Sequence, residues 1–311
     1  MIDKHKTVLS TLFPLEEAFH WQKNRSMARD PRFHGHTRYP LLVGRTLTIM
    51  IVLIGMSAPQ TNHAASPVNG GMDWLERDIP RHAASTAAKK MREGEVNGWW
   101  INTHRAQVAK ARDNRAAPIL FVGDSITDGF DNAGNDGGRL GLRIWQEYYE
   151  PRGAVNAGLS GDATQHVLWR LENGILDAVS PRVVVLTIGH NNREPADELA
   201  EGMLAILKRI RVEEPQAHIL FIPHFPHEHR YWARSRQIRA YEQAAEVVRA
   251  DPQITLLNLN EAFLNEQGVL RDKALIPDNV HPSEAGYKVW AEAMEPALSE
   301  DLPGNMAKTD S

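Results

Sequence analysis

The run Arg182-Val183-Val184-Val185-Leu186-Thr187-Ile188 constrains the fold more than any other stretch of the chain. Nearly every residue is β-branched or apolar and no polar position alternates with them, the pattern of a strand buried on both faces. Such strands belong to parallel sheets covered by helices, so an α/β architecture is expected. Four further runs suit the same sheet. Ile119-Leu120-Phe121-Val122 and Ala154-Val155-Asn156-Ala157-Gly158 come before it, and His218-Ile219-Leu220-Phe221-Ile222-Pro223 and Ile254-Thr255-Leu256-Leu257-Asn258-Leu259 after it.

Helical periodicity fills the intervals. Residues 164–178 carry Val167, Leu168, Leu171, Ile175 and Leu176 at helical spacing, with Gly174 as an interior cost. Residues 195–212, 231–250 and 283–298 are likewise read as helices, the last capped by Ser283, with Glu284 at the positive end of its dipole. Five strands alternating with helices predict a doubly wound, three-layer α/β/α domain with a five-stranded parallel sheet over residues 72–302. Ahead of the first strand, Asp73-Trp74-Leu75 and residues 95–112, with Trp99, Trp100, Ile101 and Val108 among charges, predict an amphipathic helical extension packed on the domain.

Of the 311 residues, 42% are hydrophobic and 24% charged, enough apolar material for such a core. A net charge of −4, spread rather than blocked, leaves no basic footprint for nucleic acid, which is not expected as a partner. The chain has no cysteine, which excludes a disulfide, a thiolate nucleophile and a Cys-ligated zinc. Compartment must be read from the amino terminus. Residues 47–56 form an apolar run behind Arg38 and Arg45, of signal-peptide length rather than the ~20 residues of a spanning helix. Residues 1–71 are therefore expected to be a signal or membrane-anchor segment and linker, with the protein exported to the periplasm or outside the cell. If uncleaved, residues 41–58 would be the anchor. A start at Met27 would leave a basic leader with Arg29 and Arg32 and make residues 1–26 an upstream extension. Residues 303–311 are expected to be a disordered tail.

The strand ends carry the chemistry, where open α/β sheets keep their ligands. The first strand runs into Gly123-Asp124-Ser125, leaving the Ser125 hydroxyl at its carboxyl end as a candidate nucleophile. Acyl transfer by serine needs a base, a carboxylate to orient the base, and donors for the developing oxyanion. Asp278-Asn279-Val280-His281 supplies the first two, since a three-residue turn can bring the carboxylate to the Nδ1 side of the imidazole. The N–H of Ser125, the N–H of Gly161 after the second strand and the Asn191 amide after the third are the candidate oxyanion donors. Two other stretches invite metal and are not expected to hold it. Residues 128–138, rich in Gly, Asp and Asn, lack the acidic twelfth position of an EF-hand loop. His224-Phe225-Pro226-His227-Glu228-His229 has ligand-like spacing, but a complete serine triad needs no Lewis acid.

These residues make the chain resemble the SGNH (GDSL-type) hydrolase superfamily, with Ser125, Gly161, Asn191 and His281 at the four naming positions and Asp278 completing the triad. It is most similar to the platelet-activating factor acetylhydrolase catalytic-subunit branch and its bacterial relatives. The blocks that carry this are Leu120-Phe121-Val122-Gly123-Asp124-Ser125, Asn156-Ala157-Gly158-Leu159-Ser160-Gly161-Asp162, Val167-Leu168-Trp169-Arg170-Leu171-Glu172-Asn173-Gly174 and Gly189-His190-Asn191-Asn192. The resemblance implies a flavodoxin-like fold and ester hydrolysis through an acyl-enzyme, without cofactor or metal, in a shallow site suited to short acyl groups. The expected substrate is an acetyl ester, either an O-acetylated carbohydrate or another small ester, and a homodimer is the assembly considered. Asp124, His190, Asn192 and His224 are expected beside the substrate. Two alternatives are a lysophospholipase or thioesterase with longer acyl preference, and a non-catalytic glycan-binding module on the same scaffold.

Overall fold

The valine run lies in the middle of the sheet, as its composition requires. The computed structural model describes residues 72–131, 140–223 and 231–301, with backbone alone for 231–234 and 301. All of these belong to one compact unit, Pro67–Ser311. The apolar run at 47–56, the linker at 58–71, the histidine-rich stretch at 224–229 and the tail at 303–311 lie outside the described residues.

After a 3-10 turn at Asp73–Leu75 the chain forms a short antiparallel hairpin, β1 (Met91–Arg92) and β2 (Glu95–Val96), then α1 (Gly98–Asp113). The helix therefore starts three residues later than periodicity suggested. Asn97 caps it, its side-chain oxygen accepting from the Trp100 N–H at 3.1 Å. Next come β3 (Ile119–Gly123), the one-turn α2 (Ser125–Asp128), α3 (Leu142–Tyr148) and β4 (Val155–Asn156). Then α4 (Thr164–Arg170) leads through a π-type turn at Leu171–Ile175 to α5 (Leu176–Ala178) and β5 (Val183–Thr187). The rest is α6 (Ala196–Glu213), β6 (His218–Phe221), α7 (Tyr231–Val248), β7 (Ile254–Leu256), α8 (Asn260–Phe263) and α9 (Glu284–Asp301).

All pairs in the main sheet are parallel, in the order β4-β3-β5-β6-β7. Side chains alternate between two cores. Leu120, Val122, Val184, Leu186, Ile219 and Phe221 face one made with α1, α4, α6 and α7. Ile119, Phe121, Val183, Val185, Leu220 and Ile222 face the other, made with α3, α8 and α9. Burial on both faces explains the uninterrupted apolar runs; each such side chain contributes roughly 1.5–3 kcal/mol. The fifth strand is shorter than expected, because the chain leaves the sheet after the Leu257 N–H bonds to Phe221 O at 3.0 Å.

The crossover expected as one helix over 164–178 is broken. Asn173 (φ −117°, ψ 41°) and Gly174 (φ 115°) leave helical geometry, so Gly174 is the residue that permits the break rather than a cost inside a helix. The progression of strands reverses at β3, which pairs with β4 on one side and β5 on the other. The crevice outside the carboxyl ends of these strands is the switch point where this architecture holds ligands.

Candidate active site

Ser125 is delivered by a tight turn that needs a glycine at its start. A Cβ on Gly123 would stand 2.1 Å from Thr127 Oγ1 and 2.5 Å from Thr187 O, so glycine is required where β3 ends. Asp124 then takes a non-helical conformation and its Oδ1 accepts from the Ile126 N–H at 3.0 Å, capping α2. The Asp124 carboxyl is 2% exposed, which corrects its expected place beside the substrate: it builds the turn. Burial pushes it up to about 7 against the pull of the Ile126 N–H. Ser125 opens the helix, and its N–H bonds to no acceptor among the described residues.

The histidine comes from the loop before α9. Asn279 adopts φ 62°, a left-handed conformation that asparagine tolerates, and this folds Asp278 back onto His281. Asp278 Oδ1 accepts from the backbone N–H groups of Val280 at 2.9 Å and His281 at 2.7 Å, while Oδ2 lies 2.7 Å from His281 Nδ1. His281 Nε2 is 2.9 Å from Ser125 Oγ. Partial burial pushes the Asp278 carboxyl up, but the hydrogen bonds from His281 and Val280 outweigh it and hold it below the usual carboxylate range. Ser283 caps α9 as expected, accepting from the Gly286 N–H at 3.3 Å, and this fixes the helix that follows His281.

Gly161 lies in the turn after β4 at φ 76°, and its N–H also bonds to no acceptor among the described residues. The turn is clamped at each of its residues. Ser160 donates its hydroxyl to Asp128 Oδ2 at 2.5 Å, and its carbonyl oxygen accepts from Lys90 Nζ at 3.0 Å. The Asp162 carbonyl accepts from Asn191 Nδ2 at 2.8 Å, which holds the Asn191 amide against the turn with one N–H still to give. The Asp162 carboxylate is fully buried, accepting from Trp100 Nε1 at 2.7 Å and lying 3.0 Å from Arg170 Nε. Burial pushes it up to about 6, with Arg170 and the Trp100 N–H opposing.

Asn192 is corrected too. It is 2% exposed; its Oδ1 accepts from the Thr164 N–H at 3.0 Å and its Nδ2 donates to Thr164 Oγ1 and Glu194 Oε2, which ties the end of β5 to α4 and leaves nothing for substrate. His190 is half-buried beside Asn191, and its carbonyl accepts from Gln237 Nε2 at 3.1 Å. His224 lies outside the described residues. Lys90 and Trp100 reach the site without a signal in the sequence, because nothing in their spacing tells of a contact formed 62–70 positions away.

A serine hydroxyl bonded to a histidine, itself bonded to a carboxylate, at a sheet's switch point and beside two N–H groups without an acceptor among the described residues, is equipment for acyl transfer. Comparison with known proteins agrees. The GDSL-like lipase/acylhydrolase family matches residues 121–289, and the chain belongs to that family. It is a carboxylic ester hydrolase of the SGNH superfamily. It is 30% identical over 206 residues to the human platelet-activating factor acetylhydrolase IB subunit alpha1, covering 65% of this chain and 84% of that one. To the rat subunit alpha2 it is 30% identical over 190 residues, covering 60% and 78%. A solved structure from Streptococcus pneumonia superposes with a TM-score of 0.50 at 22% identity, covering 64% of this chain and 94% of that one, a likeness of fold.

Proposed function

We propose that the chain hydrolyses short-chain esters, acetyl esters above all, of a carbohydrate or another small alcohol, with Ser125, His281 and Asp278 as its triad. Ser125 Oγ attacks the ester carbonyl carbon while its proton passes to His281 Nε2; Asp278 holds the ring in the needed tautomer and stabilises the imidazolium. The negative oxygen is met by the N–H groups of Ser125 and Gly161 and by the Asn191 amide. Collapse breaks the bond to the alcohol, which leaves with the proton from His281, and an acyl-Ser125 remains. Water then attacks that acyl group with His281 again taking the proton, and the carboxylic acid departs as Ser125 is restored.

What carries this is the continuous chain of hydrogen bonds from Asp278 through His281 to Ser125, at 2.7 and 2.9 Å. Acetyl as the acyl group is supported by the relatives, which are named acetylhydrolases. A polar alcohol is supported by the exposure of the side that releases it: 55% for the Asp278 side chain and 32% for His281. Export, from the apolar run at 47–56, is part of the same proposal and is tested by fractionating expressing cells.

The test is a p-nitrophenyl ester series from acetyl to decanoyl with a fluorophosphonate label, run on the protein and on Ser125→Ala. Labelling and turnover are expected to vanish in the variant, and activity to fall steeply beyond the shortest chains. Rates that rise with chain length would replace the acetyl reading with a lipid one. A folded Ser125→Ala protein that keeps its turnover would remove Ser125 from the chemistry.

A further inference from the structure

Lys90 precedes α1 and lies outside the residues, 121–289, that the family match covers, yet it reaches the oxyanion turn. Its Nζ donates to the Ser160 carbonyl at 3.0 Å and packs against Gly161, only 2.4 Å from where a Cβ there would stand. Any other residue at 161 would displace the ammonium, so the glycine serves this approach as well as its positive φ. The Ser160 carbonyl and the Gly161 N–H are the two ends of one planar peptide group. A cation on the oxygen end draws electron density along that group and makes the N–H at the other end a stronger donor, as hydrogen bonds in series polarise one another. A charged donor does this better than a neutral one.

We infer that Lys90 is a positioning residue of the oxyanion hole, which fixes the Ser160–Gly161 peptide and polarises its N–H toward the transition-state oxyanion without touching the substrate. This rests on the assignment of Gly161 as an oxyanion donor made above. The surroundings suit the role. Lys90 is half-buried, which shields its field less than water would; burial lowers its pKa from the usual lysine value and Arg170 adds to this, while Asp162 and Asp124 oppose the loss of its proton. Asp128 holds the Ser160 side chain and N–H, and Lys90 holds its carbonyl, so the lysine adds both a tie and a charge at the peptide that carries the Gly161 N–H.

The effect should be smaller than the ~10²–10³ lost with a donor that meets the oxyanion directly, because Lys90 acts through a peptide. Lys90→Met keeps the length and removes the charge; Lys90→Arg keeps the charge. With p-nitrophenyl acetate, Lys90→Met is expected to lower kcat roughly tenfold with KM within twofold and the melting temperature nearly unchanged, and Lys90→Arg to restore most of the rate. The loss should be the same for 4-acetoxybenzoate, an anionic acetyl ester. A kcat unchanged in Lys90→Met, while Ser125→Ala is inactive, would overturn the inference and leave the triad standing. A loss in KM alone, or only with the anionic ester, would make Lys90 a substrate contact and overturn it too. So would a loss that tracks a lowered melting temperature and is not restored by Lys90→Arg. Turnover surviving in Ser125→Ala would instead remove the assignment beneath it.

Discussion

Asp124 stands one residue before Ser125, the proposed nucleophile, and does its work with a carboxyl group that solvent barely reaches. The carboxyl caps α2 whether or not it is charged, since Oδ1 accepts the Ile126 N–H in either form. Burial raises it from 3.8 to about 7, so between these values the folded chain keeps a proton that the unfolded chain has lost. Stability from this group is therefore complete below about pH 4 and declines as the pH rises toward 7. Asp124→Asn retains the cap and has no charge to bury. Its stability relative to the parent protein is expected to rise by roughly 2–3 kcal/mol between pH 5 and pH 8, read from urea unfolding at each pH. A difference that does not change with pH would mean that the buried carboxyl is already ionised at pH 5. The same residue marks how far the site was legible in the sequence. Ser125, Gly161, Asn191, Asp278 and His281 could be named because each sits at a strand end or in the loop leading into α9, and topology brings such places together. Whether a polar residue there faces solvent or is turned inward to build the loop is settled by packing, which is why Asp124 and Asn192 read as substrate contacts and are scaffold.

Among elements, the crossover from β4 to β5 departs furthest from its sequence pattern. Leu171 and Ile175 are both buried on the core side, so the apolar spacing continues through the π-type turn and periodicity alone sees an unbroken helix. The break has a structural use. The Asn173 carbonyl, freed from helical pairing, lies 3.0 Å from His104 Nε2 on α1, and Gly174 lets Val108 of that helix approach to 3.3 Å of where a Cβ would be. Burial holds the His104 ring at about 4, so it is neutral at neutral pH and Nε2 can donate to that carbonyl. Gly174→Ala must place a side chain at φ 115°, and should cost about 1–2 kcal/mol, several degrees in melting temperature. The rate of the folded variant should stay near that of the parent, because the strain lies beyond Arg170, the part of α4 that pairs with Asp162. A melting temperature equal to the parent's would show that the turn relaxes into a regular helix. The central strands β3, β5 and β6, by contrast, were legible to within two residues, because burial on both faces leaves an uninterrupted apolar run, while β4 and β7 at the edges are each three residues shorter than their runs.

At the scale of the whole molecule, residues 72–97 are part of the domain rather than an approach to it, and they join its far side to its chemistry. At one end Trp74, 7% exposed, donates Nε1 to Asp251 Oδ2 at 3.0 Å, the carboxylate that also pairs with Arg211 Nε at 3.1 Å. Midway, the Ala84 carbonyl accepts from Thr164 Oγ1 at 2.8 Å, and the Ala88 N–H donates to Gln165 O at 3.0 Å. At the other end Lys90 meets the Ser160–Gly161 turn. None of these contacts follows a period, and each joins distant positions through single polar groups, so no sequence pattern announces them beyond the tryptophan itself. The two ends should be separable. Trp74→Ala removes a buried ring and a donor to a buried ion pair, and is expected to cost about 3–5 kcal/mol of stability while leaving kcat of the folded protein within twofold. Lys90→Met should do the reverse. Since Trp74 and Lys90 share no partner among the described residues, the double variant should combine the stability loss of one with the rate loss of the other, within about 0.5 kcal/mol of additivity. Urea unfolding and p-nitrophenyl acetate kinetics on the four proteins of that cycle decide it. A rate loss in Trp74→Ala approaching that of Lys90→Met would mean that the segment moves as one rigid strap, with the anchor at Asp251 setting the position of the ammonium at Ser160.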